Sequence, residues 1–183
     1  MVDVVTLGEA MLRLSPPGFN RLEQATTFDV NVGGAELNVA IGVKRLGLES
    51  TWVTKLPKNP IGRLILNKAR EFGVDTSHVV WTDQGRAGVY FYELGAQPRA
   101  SSVVYDRQGS AVSMMRQGEI DWSFLKGAKV LHTTGITPAL SQSCRETVLE
   151  AVEAAKKHKV KVSFDINYRA KLWSTKEAEA FLT

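Results

Sequence analysis

Short apolar runs alternate with amphipathic stretches along this chain. Val2 to Leu7 is almost continuously apolar and stops at Gly8-Glu9, the pattern of a strand buried on both faces in a parallel sheet. Met11 to Leu14 then alternates apolar with polar, Pro16-Pro17-Gly18 turns, and Thr27 to Val32 alternates again with Phe28, Val30 and Val32 on one side. Paired strands outside the main sheet are expected here. Gly33-Gly34 opens a helix from Ala35 to Leu46, which Gly47 closes. Its apolar residues Leu37, Val39, Ala40, Ile41, Val43 and Leu46 cover most of the circumference and predict deep burial. Gly42 inside it predicts close packing against a neighbour.

The rhythm continues with a strand over Thr51 to Leu56 and a helix capped by Asn59, with Pro60 in its first turn. Ile61, Leu64, Ile65, Ala69 and Phe72 form its expected stripe, and Gly73 ends it. His78 to Trp81 is a short strand. Ala87 to Leu94 and Ser101 to Asp106 form a long hairpin around Gly95 to Pro98. A strand over Lys129 to Thr133 follows, then a helix from about Ser141 to Lys157 with Ser143 and Glu146 at capping-box spacing, then a strand over Lys159 to Asp165. The expected fold is α/β, a doubly wound and mostly parallel sheet. The β-rich interruptions at about 10–33 and 86–110 are expected to meet as one small sheet covering the site. Ser174 and Glu177 open a last helix in which the chain stops at Thr183. A doubly wound sheet is not expected to end there, so the sequence reads as the N-terminal part of a longer protein, its C-terminal part missing.

Composition narrows the class. The 183 residues suit one domain or one and a fraction, and 44% hydrophobic with 23% charged residues are ordinary globular values. No apolar run approaches the roughly 18 residues of a membrane helix. The start, Met1-Val2-Asp3-Val4-Val5, carries an acid where a signal peptide carries bases. Cys144 is the single cysteine, which rules out an intramolecular disulfide. A reduced, cytoplasmic protein with no membrane partner is expected. The 23 bases exceed the 19 acids by four, with a pI near 9.2. They are dispersed, and the densest cluster, Lys156-Lys157-His158-Lys159, lies at a helix end where cations favour the dipole. Without a basic stripe or recognition motif, nucleic-acid binding is not expected.

Ligands of open α/β sheets bind outside the carboxyl ends of the strands. Those positions hold Gly8-Glu9, Gly33 to Asn38, Thr134 to Thr137 and Asp165 to Arg169, and the β interruptions add Tyr90, Tyr105, Asp106 and Arg107. Gly33-Gly34 is either a close approach to a ligand at a helix N-terminus or an ordinary tight turn. Asp165, Asn167 and Arg169 alternate at a strand end and can share one side of the sheet edge. Arg169 and Arg107 are forks for carboxylate or phosphate, or members of surface ion pairs. His132 reads as a satisfied core residue. The dinucleotide-binding and Walker glycine patterns are both absent, and no metal-ligand spacing or nucleophile triad appears.

Several of these segments resemble the ribokinase-type (PfkB) carbohydrate kinases. They are the Gly8-Glu9 strand end, Val32-Gly33-Gly34-Ala35-Glu36-Leu37-Asn38-Val39-Ala40, Leu46-Gly47, Pro60-Ile61-Gly62, Gly73-Val74-Asp75-Thr76 and Thr134 to Leu140. Tyr105-Asp106-Arg107 with Gly109-Ser110-Ala111, and Asp165 to Arg169 with Leu172-Trp173, are similar to the branch of 2-keto-3-deoxygluconate kinases. The resemblance runs from Val2 to the last residue. It implies a ribokinase-like core with a β-sheet lid and ATP-dependent phosphorylation of a sugar acid, with Mg²⁺ accompanying ATP. It implies that Gly34 and its neighbours through Asn38 contact the sugar, that Tyr90, Tyr105 and Arg107 grip the keto acid, and that Ile136 lines the pocket. It further implies that Arg169 binds near the transferred phosphoryl group, that Asn167 touches ATP, and that copies can associate through the lid as a homodimer or higher homo-oligomer. The family's Gly-Ala-Gly-Asp motif, which carries the catalytic base, is absent from these residues, as is most of the ATP site. The resemblance implies that this Asp lies beyond Thr183. No catalytic residue is therefore assigned, and residues 1–183 alone are expected to be inactive. A non-catalytic sugar-binding or dimerising module, and a kinase of fructose or nucleosides, are the alternatives.

Overall fold

The computed structural model describes residues 2–183. In chain order its elements are β1 (Val4–Leu7), β2 (Met11–Ser15), β3 (Asp29–Gly33), α1 (Ala35–Arg45), β4 (Ser50–Val53), β5 (Lys55–Pro57), α2 (Pro60–Glu71), β6 (Val80–Thr82), β7 (Val89–Glu93) and β8 (Ser102–Asp106). β9 (Val130–Thr134), α3 (Ile136–Ala139), α4 (Gln142–Lys157), β10 (Lys161–Asp165) and α5 (Thr175–Leu182) complete it.

The apolar runs form a four-stranded parallel sheet in the order β10-β9-β1-β4. Alternation along these strands sends side chains to two separate cores. Val5, Leu7, Val53 and Leu131 pack with Cys144, Val148, Ala151 and Ala155 of α4. Trp52 packs with Leu37 and Ala40 of α1 and with Ile65, Leu66 and Ala69 of α2. Helices on both faces make the sheet doubly wound, and a sheet so covered needs strands that are apolar on both sides. Burial pushes the Cys144 thiol up to about 11, so it is inert packing rather than a nucleophile.

The β segments that interrupt the core join in a second sheet, ordered β3-β2-β7-β8. β2 pairs antiparallel with β3, and β7 antiparallel with β8, while β2 and β7 run parallel. The register puts Asn31, Arg13, Tyr90 and Tyr105 in one row across the sheet. Val30, Leu14, Phe91 and Val104 form the adjacent row, on the opposite face.

Several local expectations are corrected. α1 buries only Glu36, Leu37 and Ala40, and Leu46 is 81% exposed. A helix that forms one layer on a sheet buries a single stripe however apolar its other positions are. A Cβ at Gly42 would meet no atom within 4 Å, so this glycine does not mark close packing. The stripe of α2 is Gly62, Ile65, Leu66 and Ala69, rotated from the expected one, and Ile61 and Leu64 are exposed. The run Thr51 to Leu56 serves two sheets. β4 pairs with β1, and after Thr54 the chain shifts to pair β5 with β6. Ser141, not Ser143, caps α4, its hydroxyl accepting the Cys144 amide at 3.0 Å. β10 begins at Lys161 because Lys159 takes a left-handed φ of 59° to leave the helix. His132 is half-buried rather than in the core, with Nδ1 3.0 Å from Ser163 Oγ, and partial burial lowers its pKa. The caps of α2 and α5 are as expected. Asn59 accepts the Gly62 amide, and Ser174 and Glu177 form a reciprocal capping box. At the other end of α5 the Thr183 amide and hydroxyl both donate to the Glu179 carbonyl, at 3.0 and 2.8 Å.

Candidate functional site

The parallel sheet brings the carboxyl ends of β1, β9 and β10 to one edge. Gly8 follows β1 and donates its amide to Val53 at 3.1 Å, and Gly135 follows β9 and donates to Asp165 at 2.9 Å. The second sheet approaches the same edge, because Glu9 between β1 and β2 is held by residues that follow β8. The Ser110 hydroxyl donates to Glu9 Oε1 at 2.5 Å, and the Arg107 guanidinium forms an ion pair with the same carboxylate.

Glycine is required where these segments cross. A Cβ at Gly34 would run into the Glu9 carbonyl oxygen, and one at Gly33 would run into the Tyr90 hydroxyl. Both would fall far inside van der Waals contact. Gly34 therefore crosses the segment that joins β1 to β2, and Gly33 packs within the second sheet, with φ and ψ at Gly34 extended (−169°, 135°) rather than those of a tight turn.

A cleft of about 840 Å³ opens between β8 and the loop after β10. Tyr105, Asp106 and Arg107 line one wall, and Tyr168, Arg169 and Leu172 the other. Tyr90 stands behind Tyr105, their ring centroids 5.7 Å apart, and partial burial raises the Tyr90 pKa. The Arg107 guanidinium lies over the Tyr105 ring at 5.8 Å. Its Nε is buried without a partner among the described residues, a free donor of a kind that favours an oxygen acceptor. Arg169 is exposed. Its guanidinium donates to the Tyr168 carbonyl at 3.3 Å and makes no ion pair among the described residues. The surface ion-pair reading of Arg169 therefore has no partner. Asp106 is taken instead by Arg86, whose hydrogen bond is the largest cause of its lowered pKa.

Of the residues singled out from the sequence, Tyr105, Arg107 and Arg169 share this cleft, and Tyr90 backs it. Gly34, exposed Asn38 and half-buried Ile136 sit at the sheet edge but do not line the cleft. Asn167 has φ 37°, and its amide donates to Asp165 Oδ1 at 3.0 Å. That left-handed residue breaks the expected one-sided alternation of Asp165, Asn167 and Arg169. Thr183, the position beyond which the catalytic Asp is expected, is exposed and is not among the cleft residues. A second cavity of about 450 Å³, between β3 and α2, contains none of the predicted residues.

Two acids carry more than the sequence suggested. Glu9 is buried and anchors Arg107. Glu36 is 1% exposed, with its Oε1 accepting from the hydroxyls of Thr134 at 2.8 Å and Thr137 at 3.0 Å. Burial raises the Glu36 pKa, and like charge at Glu9 adds to that. In the sequence, Glu9 stands out only by following Gly8 at a strand end, and Glu36 only by its place in the first turn of a helix after Gly33-Gly34. Among the described residues no group of three or more His, Cys, Asp or Glu is gathered as a metal site. No helix among them is long and apolar enough to cross a membrane.

Comparison with known proteins places this geometry in context. The family model described as pfkB family carbohydrate kinase matches residues 1–182. A 2-dehydro-3-deoxygalactonokinase from Haloferax volcanii is 42% identical over 176 residues, covering 96% of this chain and 55% of the relative. The crystal structure of a 2-dehydro-3-deoxygluconokinase from Thermotoga maritima superposes with a TM-score of 0.96 at 44% identity, covering 100% of this chain and 56% of that one. The structure of an uncharacterised sugar kinase from Pyrococcus horikoshii in complex with ATP has a TM-score of 0.83 at 27% identity, covering 96% and 57%. The chain thus spans about half the length of the curated relatives it matches.

Proposed function

The chain belongs to the pfkB family of carbohydrate kinases, and from that premise we propose that it is the sugar-binding part of a sugar-acid kinase. The proposed reaction is ATP-dependent phosphorylation of 2-keto-3-deoxygluconate to its 6-phosphate. The observation that carries the reading is the meeting of Tyr105, Arg107 and Arg169 in one cleft of about 840 Å³. The ion pair with Glu9 fixes the Arg107 guanidinium in the cleft wall, where a substrate carboxylate or keto oxygen is its natural acceptor. The Tyr105 ring offers an apolar face to the carbon chain, and Tyr90, assigned to the same grip on the keto acid, supports it from behind. Gly34, Asn38 and Ile136 are assigned to the sugar at the adjoining sheet edge.

Arg169, on the opposite wall, is assigned to the substrate end near the moving phosphoryl group, and Asn167 to ATP. Phosphoryl transfer depends on positioning and on stabilising charge on the equatorial oxygens, which a fixed guanidinium does well. The ATP-bound relative supports ATP as donor. Mg²⁺ is assigned to accompany ATP, and the described residues do not gather a metal-ligand set for it. The Asp base of the family's Gly-Ala-Gly-Asp motif is not in residues 1–183 and is assigned to the part of the enzyme that follows Thr183. We therefore assign binding to this chain and turnover to the full-length enzyme.

A homodimer through the second sheet is part of the same reading. Val30 and Val104, 53% and 55% exposed, lie in one apolar row with Leu14 and Phe91. Exposed apolar rows of this kind suit a protein contact.

The test is a substrate panel on the full-length protein with ATP. The largest kcat/KM is expected for 2-keto-3-deoxygluconate or its galactonate epimer, ahead of gluconate, fructose and nucleosides. Equal or faster turnover of fructose or a nucleoside would overturn the assignment in favour of a neutral-substrate kinase.

A further inference from the structure

Glu36 lies on the first turn of α1, between Gly34 and Asn38, yet faces away from the cleft into the protein. Its carboxyl group touches two segments at the ligand-bearing edge. It sits so close to Gly8, after β1, that a Cβ there would overlap Glu36 Cδ. It accepts the hydroxyls of Thr134 and Thr137, on either side of the Gly135-Ile136 turn after β9. The same Thr134 oxygen accepts the Ile136 amide at 3.1 Å. One side chain therefore ties the start of α1 to the backbone that presents Ile136.

We infer that Glu36 is a positioning residue which, by accepting the hydroxyls of Thr134 and Thr137, holds the 134–137 turn against Gly8 and the α1 N-terminus and so sets the sugar pocket. The inference rests on the kinase reading above for its consequence in catalysis, though not for its structural part. Burial and the like charge at Glu9 raise the Glu36 pKa, while the two threonine hydroxyls act in the opposite direction. What the two hydroxyls require of this side chain is an oxygen acceptor at the right reach, at Oε1. Glutamine has the same length, the same acceptor and no charge. Aspartate keeps the acid but is one methylene too short to reach both hydroxyls.

The experiment compares Glu36→Gln, Glu36→Asp and Glu36→Ala in the full-length protein. In hydrogen exchange, Glu36→Gln should protect the 134–137 amides like wild type. Glu36→Asp should expose them about tenfold more, with α2 amides unchanged. In kinetics with 2-keto-3-deoxygluconate and ATP, Glu36→Gln should keep KM and kcat within about twofold, while Glu36→Asp raises KM about tenfold with a smaller change in kcat. Loss of kcat in Glu36→Gln with intact exchange would overturn the inference, because it would make the ionised carboxylate a participant. Unchanged KM in Glu36→Asp would overturn it too, by showing that the turn beside Glu36 does not set the sugar pocket. If Glu36→Ala fails to fold, the other two variants decide. If wild type does not phosphorylate sugar acids at all, the functional proposal falls, and the exchange pattern alone decides whether Glu36 holds the turn.

Discussion

Arg107 and Glu9, 98 positions apart in the chain, form an ion pair that joins the second sheet to the end of the first core strand. Only 12% of the Arg107 side chain and 2% of the Glu9 side chain are exposed. A pair this protected is hydrogen-bonded scaffolding as well as charge, and removing one member leaves the other buried and unpaired. The contact puts a guanidinium in the cleft wall with its orientation already set.

Arg107→Ala in the full-length enzyme should weaken sugar-acid binding by about 1.5–3 kcal/mol through the lost charge-assisted contact. Binding of a neutral sugar should change much less. Titration calorimetry with 2-keto-3-deoxygluconate and fructose checks this. Equal losses for the two ligands would remove Arg107 from carboxylate recognition and leave it a structural partner of Glu9.

Arg169→Lys keeps the charge but loses the planar fork, and should lower kcat/KM by about 1–3 kcal/mol of transition-state stabilisation. The melting temperature should be unchanged, since Arg169 is exposed and its side chain makes only one long hydrogen bond among the described residues. Near-wild-type turnover in both Arg169→Lys and Arg169→Ala would show that the opposite wall of the cleft does not meet the phosphoryl group.

The raised pKa of Glu36 makes a stability prediction with a definite sign. The ordinary value is 4.5, and burial raises it in the folded state, with Glu9 opposing ionisation and Thr134 and Thr137 partly favouring it. Stability from the neutral acid is complete below about pH 4.5 and is lost as pH rises toward and through the folded pKa. Urea denaturation of wild type and Glu36→Gln from pH 5 to 9 isolates this group from the other titrating residues. The advantage of Glu36→Gln should grow with pH, whereas parallel curves would show that Glu36 titrates normally.

Two glycine substitutions should act in opposite directions. Gly42→Ala fills open space inside α1 and should stabilise by about 0.5–1 kcal/mol, since glycine is a poor helix former. Gly34→Ala drives a Cβ into the Glu9 carbonyl and should destabilise by about 1–3 kcal/mol or more. Chemical denaturation reads both, and a neutral Gly34→Ala would mean that the crossing at Glu9 is not tight.

Val104→Lys places a charge in the exposed apolar row of the second sheet. If two copies meet there, sedimentation should show a shift from dimer to monomer without loss of the fold. An unchanged dimer would move the contact elsewhere.

Much of the fold was legible because strand and helix periodicity are local. The buried run at β1, the Asn59-Pro60 start of α2 and the Ser174–Glu177 capping box each need only a few neighbouring residues. The correct grouping of β2, β3, β7 and β8 followed from alternation, and the glycine doublet pointed to the sheet edge. The stripes of α1 and α2 were misjudged because a helix's own sequence does not say how wide its partner is. Leu46 is as apolar as Leu37, yet only one of them faces the sheet.

The candidate site divides the same way. Residue type and chain position marked Tyr105, Arg107 and Arg169 before any coordinates, since a guanidinium fork at a sheet edge has a recognisable chemistry. That these three share a cleft, that Arg107 is spoken for by Glu9, and that Glu36 ties α1 to the turn after β9 were settled only by tertiary structure. The reason is physical: the Arg107–Glu9 and Glu36–Thr134 contacts each span 98 positions. No local pattern encodes such a contact. It forms when β1 and β9 lie side by side and the second sheet folds back onto their ends.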